Sequence, residues 1–422
     1  MAISSLPKRR LDHEEHLEER TPSYAWIIGG VSALVGLTAL GLSRFAYALL
    51  LPLMRDSFGL HATGAGLLSS ANLCGFLAGA LVGGTFAARA GTRSVISGGL
   101  ILGAVGAGLT AFGQGATSVA GWQFVVGCGA GAAMIPAQNL PMLWFPASKR
   151  GFASGLPTAG VGGGVVLVGL GFPWLLGLDV HGLTGWRLAW LGIGGLLLMT
   201  ALCAGLWLRE APQARGRSED AREVIRTWRI WHLCLVYLLF GFSYLSYVAF
   251  FGIVLSNHRH WLPEASGRAW ALGGILSIAS GLLWGALSDR IGRRQAIGLV
   301  FSVQALSYLI LAEWPWDGAV YLSVVLWGVT AWATPSLVAA LATDYVGVRL
   351  VHPVMGLVNV VGAIGQIGGP IVAGYAIDRS GSFAAAPFVA ASGALLGVLG
   401  AFTLPEKGRS GGEETSALKG QR

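Results

Sequence analysis

Twelve long apolar stretches, separated by short polar connections, run through this 422-residue chain. A helix that crosses a bilayer needs about 20 mostly apolar residues, and each stretch is about that long. Only 11% of the residues are charged, whereas soluble domains carry roughly 25%, so most of the surface must face lipid. We therefore predict an all-α membrane protein with twelve transmembrane helices, over residues 24–52, 62–88, 94–113, 118–145, 152–176, 186–208, 230–256, 267–288, 295–313, 317–343, 354–377 and 384–404.

The longest polar connection, residues 209–229, contains Arg209, Arg215, Arg217, Arg222, Arg226 and Arg229. It divides the chain into a half at 24–208 and a half at 230–404. Charged tails flank the two halves, at residues 1–23 and 405–422. The first tail lacks the apolar core of a signal peptide.

Basic residues are distributed unevenly between the two sides of the predicted membrane. We call the side that carries residues 209–229 the linker side, and the other the opposite side. Besides the linker arginines, linker-side loops hold Arg89, Arg93, Lys149, Arg150, Arg290, Arg293, Arg294 and Arg349, whereas the opposite side holds Arg55, Arg187, Arg259, Arg268 and Arg379. The positive-inside rule then predicts a cytoplasmic linker and cytoplasmic termini in a bacterial inner membrane. This asymmetry explains the net charge of +8, so nucleic acid is not a predicted partner.

The residues that usually carry catalysis or bind metals are scattered. Cys74, Cys128, Cys203 and Cys234 lie one to an apolar stretch, as small buried side chains do, without paired spacing. His258 and His260 share a loop with no third ligand nearby, so we interpret them as solvated residues. We find no catalytic dyad and no nucleotide motif, and we predict a protein that is not an enzyme and needs no cofactor or metal.

The two halves repeat each other at an offset of 201 residues. Five pairs share that offset: Gly84 and Gly285, Gly91 and Gly292, Gly155 and Gly356, Leu156 and Leu357, Gly164 and Gly365. A common offset at separate places indicates duplication. Six-helix halves duplicated in parallel are related by an axis along the membrane normal.

A ten-residue loop, Gly285-Ala-Leu-Ser-Asp-Arg-Ile-Gly-Arg-Arg294, connects the eighth and ninth stretches. It resembles the loop signature of the major facilitator superfamily at every fixed position. The resemblance implies transport by alternating access, with Asp289 and Arg290 in a gating clamp. A positive-inside loop alone would explain Arg293 and Arg294 but not Asp289. The first-half copy has Ala88 in place of the acid. The candidate gating residues are Gly285, Asp289, Arg290, Gly292, Arg293, Arg294, Arg89 and Arg93.

A finer resemblance covers nearly the whole chain between the tails. The segments 41–54, 144–155 and 344–374 resemble the YbfB/YjiJ-type branch of that superfamily, which has no agreed substrate. The Trp144-Phe-Pro…Arg150-Gly…Gly155 element is also similar to monocarboxylate and oxalate/formate carriers.

Arg44 lies inside the first apolar stretch. A charge at the bilayer centre costs about 2.5–3.5 kcal/mol and usually faces a cavity. The alternatives are snorkelling to the membrane surface or hydrogen bonding to helix ends. Arg44 precedes Pro52 by eight residues, a spacing that resembles the substrate-binding arginine of organic-phosphate antiporters. Those carriers use a second arginine, but Leu245 stands at the repeat position, so a single negative charge suits this chain better.

Other polar side chains within the stretches are candidates for substrate contact. Tyr and amide side chains inside a membrane need a partner, either another helix or a ligand, so packing is the alternative for each. With Arg44, the predicted substrate-binding residues are Tyr47, Gln138, Asn139, Tyr244, Tyr247, Asn359 and Gln366.

These patterns predict a secondary active or facilitative transporter of a small organic solute, first of all an organic anion such as a monocarboxylate. Multidrug or metabolite efflux is one alternative, and a non-transporting membrane sensor on the same fold is another. No carboxylate lies in the middle of a stretch, so a co- or counter-transported ion stays open. The predicted partners are the substrate and the lipid bilayer, with the protein a monomer.

Overall fold

The computed structural model describes residues 24–146, 149–180, 183–210 and 226–405. Both predicted tails, except residue 405, and most of the predicted linker, including Arg215, Arg217 and Arg222, lie outside these ranges. Within them, twelve helices are long and apolar enough to cross a membrane. They are α1 (Tyr24–Ser57), α2 (Ala62–Ala90), α3 (Thr92–Phe112), α4 (Ala116–Trp144), α5 (Arg150–Leu176), α6 (Gly185–Trp207), α7 (Trp228–His258), α8 (Pro263–Ile291), α9 (Arg293–Glu313), α10 (Asp317–Gly347), α11 (Pro353–Ser380) and α12 (Ala385–Phe402). The predicted all-α, twelve-span fold is confirmed.

Short irregular elements interrupt or join these helices. Strands β1 (Asp179–Val180) and β2 (Leu183–Thr184) form a small antiparallel hairpin between α5 and α6. Gly347, with φ of 74°, separates α10 from the segment leading into α11. The segments Gly36–Leu42 in α1 and Val254–His258 in α7 are π-helical. Such turns insert an extra residue, shift the direction of the following side chains and are frequent at functional sites.

Glycines allow α1 and α5 to approach at backbone distance. A Cβ built at Gly164 would lie 2.6 Å from the carbonyl oxygen of Leu37. In the second half, a Cβ at Gly365 would collide with the carbonyl oxygen of Leu238. Both residues of the second pair follow those of the first by 201 positions. The packing of α1 on α5 therefore recurs as the packing of α7 on α11, as small residues at membrane-helix contacts allow.

Contacts divide the chain into two compact units that do not coincide with the predicted halves. The first has the limits Met1–Phe45, Gly75–Val165 and Leu178–Arg215, and the second has Ala46–Cys74, Val166–Gly177 and Gly216–Arg422. The opposite-side ends of α1, α2 and α5 thus belong with the helices of the second half.

Two helix crossings within the second unit are equivalent. Backbone contact brings Gly66 of α2 against Pro370 of α11, and Gly267 of α8 against Gly169 of α5. Adding 201 to Gly66 gives Gly267, and adding 201 to Gly169 gives Pro370. The 201-residue offset therefore converts the crossing of α2 with α11 into the crossing of α8 with α5. This exchange is expected for parallel repeats that are related by a two-fold axis.

Candidate functional site

Arg44 lies two residues after the π-helical segment of α1 and is half-buried. Its guanidinium stacks over the Phe76 ring, with 4.4 Å between the central carbon and the ring centroid. The backbone of Phe76 is in turn held close to α4, because Gly131 packs against the Phe76 carbonyl. A cation over an aromatic face gains about 0.5–2 kcal/mol, more when water is excluded. The stack covers one face of the guanidinium.

The length of α1 bears on the snorkelling alternative for Arg44, which stays open beside a cavity role. The helix has 34 residues and continues to Ser57, beyond the predicted end at residue 52. At about 1.5 Å per residue it is longer than the hydrocarbon core, which is about 30 Å thick. Arg44 lies near its middle, thirteen residues before Ser57, and this central position favours a role within the membrane over snorkelling to its surface.

Two opposite-side arginines, by contrast, are engaged by helix ends. Arg187 donates to the carbonyls of Ala111 and Gly113, at 2.5 and 2.9 Å, at the end of α3. Arg259 donates to the carbonyl of Leu311, at 2.8 Å, near the end of α9. Burial lowers the pKa of Arg259. Cations stabilise the negative ends of helices, so both side chains have a structural role.

The predicted amide contacts differ in exposure. In α4, Gln138 is half-buried and Asn139 is exposed, and the Asn139 amide donates to the Ile135 carbonyl at 3.2 Å. In α11, Asn359 is exposed. Gln366 is half-buried and packs on α7, where a Cβ at Gly241 would lie 2.9 Å from its Cγ. Asn139 and Asn359 are thus the more exposed of the four predicted amide side chains.

The predicted tyrosines lie within the second unit and are buried. Tyr47 is 2% exposed, Tyr244 is 3% exposed and Tyr247 is 2% exposed. Tyr244 stacks on Phe240 with 5.2 Å between centroids, and the Tyr247 ring lies 4.8 Å from that of Tyr308.

Around them lies an aromatic cluster, which we define as Phe240, Tyr244, Tyr247, Phe251, Trp270, Tyr308 and Trp327. The Tyr247 hydroxyl lies 3.0 Å from the Ser323 hydroxyl, which lies 3.1 Å from the Ser307 hydroxyl. Trp332, half-buried, lies 6.1 Å from Tyr244. The sequence did not single out Trp270, Tyr308, Ser307 or Ser323, since isolated aromatic and serine residues are ordinary in membrane helices.

The linker-side loop of the second half is organised by Arg293 rather than by Arg290. Arg293 pairs with Asp289 at 2.5 Å and with Asp344, at the end of α10, at 3.8 Å. It also donates to the Ser288 hydroxyl and to the Gly285 carbonyl, the latter at 3.3 Å.

Arg290 is exposed and Arg294 is half-buried. The Asp289 side chain is 63% exposed, and exposed ion pairs contribute about 0–1 kcal/mol. The loop thus joins α8, α9 and α10 through several weak contacts that share one guanidinium. The contact of Asp344 with Arg293 was not predicted, because Asp344 is distant from the loop in sequence.

The first-half loop has the same backbone with a different acid. Gly91 has φ 87° and ψ 149°, and Gly292 has φ 94° and ψ 145°, a conformation that favours glycine in both copies. Glu210, which follows α6, accepts a hydrogen bond from the Arg93 backbone N–H at 2.9 Å. A carboxylate at a helix start stabilises α3. The first-half loop thus meets a carboxylate from the start of the predicted linker, which bonds to the backbone and not to an arginine side chain. The Arg89 and Arg93 side chains are exposed.

Comparisons with known proteins agree with this architecture. The sequence model described as Major Facilitator Superfamily matches residues 33–370. The chain is 26% identical to the probable sulfoacetate transporter SauU of Cupriavidus necator, over 82% of this chain and 86% of that protein. It is 27% identical to the 3-(3-hydroxy-phenyl)propionate transporter of Escherichia coli, over 83% of this chain and 86% of that protein. The crystal structure of a D-xylose-proton symporter superposes with a TM-score of 0.73 at 15% identity, covering 91% of this chain and 98% of that one.

Proposed function

Because the chain belongs to the Major Facilitator Superfamily, we propose that it carries a small organic anion across a membrane by alternating access. The observation that carries this proposal is Arg44, a cation near the middle of a membrane helix with one face covered by Phe76. Two relatives support the substrate class, since sulfoacetate and 3-(3-hydroxyphenyl)propionate are both organic anions.

The charge at Arg44 favours a substrate with one anionic group bound by the guanidinium edge. A guanidinium offers parallel N–H donors that match a carboxylate or a sulfonate. Leu245, at the repeat position, is apolar and 2% exposed. A monocarboxylate therefore suits the site better than a phosphate ester, which would need more positive charge.

The remaining proposed contacts fall into two groups. Asn139 and Asn359 are exposed and are proposed as direct donors to the solute, and Gln138 and Gln366 are half-buried. Tyr47, Tyr244 and Tyr247 are buried, so their contact with substrate requires a conformational change.

Orientation and gating complete the proposal. The distribution of basic residues between the loops supports a cytoplasmic linker and cytoplasmic termini, with the protein in a bacterial inner membrane. Asp289 and Arg293, with Gly285, Gly292, Arg290 and Arg294, form the linker-side gate of the second half. Arg89 and Arg93 lie at the equivalent loop of the first half, where Glu210 supplies the acid.

The test is uptake of radiolabelled sulfoacetate, 3-(3-hydroxyphenyl)propionate and lactate into proteoliposomes. We expect saturable uptake of at least one anion, its loss in Arg44→Ala and partial retention in Arg44→Lys. Arg268→Ala removes an exposed arginine of α8 and should leave uptake unchanged. Normal uptake by Arg44→Ala would contradict charge pairing between Arg44 and the substrate. No uptake of any organic anion by the folded parent would contradict the substrate class.

A further inference from the structure

The opposite-side end of α11 meets the first residues of α2 through one carboxylate. Asp378 accepts hydrogen bonds from the backbone N–H groups of Ala62 and Thr63, both at 2.8 Å. It also accepts one from the Thr63 hydroxyl, at 2.5 Å. The first N–H groups of a helix have no partner within the helix, and the helix dipole attracts an anion there. Asp378 thus caps a helix that lies 316 residues away in sequence.

Below this cap, α2 and α11 remain in backbone contact. Gly374 packs against the Ala62 carbonyl, and Gly66 packs against the Pro370 carbonyl. Further along, the Ser70 hydroxyl donates to the Ile367 carbonyl at 2.8 Å. The contact therefore begins at Asp378 and continues along more than two turns of α2. All of these residues belong to the second unit.

The equivalent crossing of α5 and α8 has no such cap. The 201-residue offset relates Asp378 to Gly177, Ala62 to Pro263 and Thr63 to Glu264. Gly177 offers no carboxylate, and Pro263 has no backbone N–H to donate. Two crossings that share the same glycine packing therefore differ in one charged contact.

We propose that Asp378 is a latch on the opposite side, which holds α2 of the first half against α11 of the second and must release α2 in every transport cycle. It is a positioning residue, because it contacts backbone and hydroxyl donors of the protein. The inference rests on the proposed alternating access, in which the opposite-side ends of the two halves separate when that side opens. The latch complements the linker-side loop: Asp289 and Arg293 join helices of one half, whereas Asp378 joins one half to the other.

Accessibility of a buried cysteine tests the latch without knowledge of the substrate. Ser70 is 3% exposed, so Ser70→Cys in a background lacking the four native cysteines reports separation of α2 from α11. A membrane-impermeant maleimide is added from each side of sealed vesicles in turn. Asp378→Asn keeps one acceptor oxygen but loses the charge of this exposed cap, and it should raise the labelling rate from the opposite side about fivefold.

Two further variants make the result specific. Thr63→Val removes one donor at nearly constant size and should raise the rate about threefold, with little further increase when it is combined with Asp378→Asn. Glu264→Gln removes a charge at the equivalent start of α8 and should leave the rate unchanged. Equal rates for Asp378→Asn and its folded parent would overturn the latch, as would an equal rise in Glu264→Gln.

The outcomes separate the latch from the proposed function. Faster labelling in Asp378→Asn, together with failure of the parent to take up any organic anion, supports the latch and counts against the substrate class. Unchanged labelling with normal anion uptake counts against the latch alone. In an active parent, Asp378→Asn should change the maximal rate more than the KM, since the latch does not touch substrate.

Discussion

Replacing Gly164 with alanine should force α1 away from α5. The new Cβ would lie 2.6 Å from both the Leu37 carbonyl oxygen and the Gly41 Cα, whereas ordinary contact begins at 3.4 Å. The helices must therefore separate by about 0.8 Å along this line, because both obstructing atoms are backbone. Overpacking of this kind costs about 1–3 kcal/mol, and Arg44 lies three residues after Gly41 on the displaced helix.

The neighbouring Gly163 provides a matched control. A Cβ there would lie 3.7 Å from the Leu37 Cδ1, which is ordinary contact. Both substitutions gain the same helix propensity, about 1 kcal/mol for alanine over glycine. The difference between the two variants therefore isolates the backbone collision, and we expect Gly164→Ala to be less stable than Gly163→Ala by about 1–3 kcal/mol.

The assay is unfolding of the purified protein in detergent, followed by tryptophan fluorescence, together with anion uptake by the same variants. Gly164→Ala should unfold at a lower midpoint and lose uptake, and Gly163→Ala should keep both. Equal midpoints for the two variants would refute the reasoning, because the collision would then be absorbed without separation of the helices.

Two further predictions concern contacts that the fold brings together. Tyr247→Phe removes a buried hydroxyl that bonds to Ser323 and should lower the free energy of unfolding by about 0.5–1.5 kcal/mol; an equal loss in the Ser323→Ala background would contradict direct coupling. Arg293→Ala should reduce transport more than Arg290→Ala, since Arg293 contacts Asp289, Asp344 of α10 and the Gly285 carbonyl. Uptake rates compared at equal protein levels check the order, and a larger defect in Arg290→Ala would assign the gate to the exposed arginine instead.

Much of the architecture follows from local sequence properties. Each span was predicted because lipid exposure imposes about 20 apolar residues wherever the chain crosses a bilayer. The repeat was predicted from glycine pairs such as Gly164 and Gly365, and the structure shows both at the same kind of helix contact. Arg44 was identified because a single charged residue within an apolar stretch can be recognised from the sequence alone, without knowledge of its contacts.

The contacts of the site were harder to predict. The π-helical turn before Arg44 depends on how α1 packs, and no residue of Gly36–Leu42 requires it. The clamp of Asp289 and Arg290 stays a prediction, and the structure adds contacts of Arg293, whose side chain reaches both α8 and α10. The roles of Tyr47, Tyr244 and Tyr247 in substrate binding stay predictions, and the structure shows Tyr244 and Tyr247 packed against other aromatic rings.

The sequence by itself determined how many times the chain crosses the membrane, where it repeats and which charge lies within a helix. Those properties depend on how each residue is solvated and on which residues repeat along the chain. The tertiary structure alone decided which acid meets which helix start: Glu210 at α3 and Asp378 at α2. The first N–H groups of a helix can donate to any carboxylate that lies close to them. Which carboxylate lies there is determined only by the packing of helices that are distant in sequence.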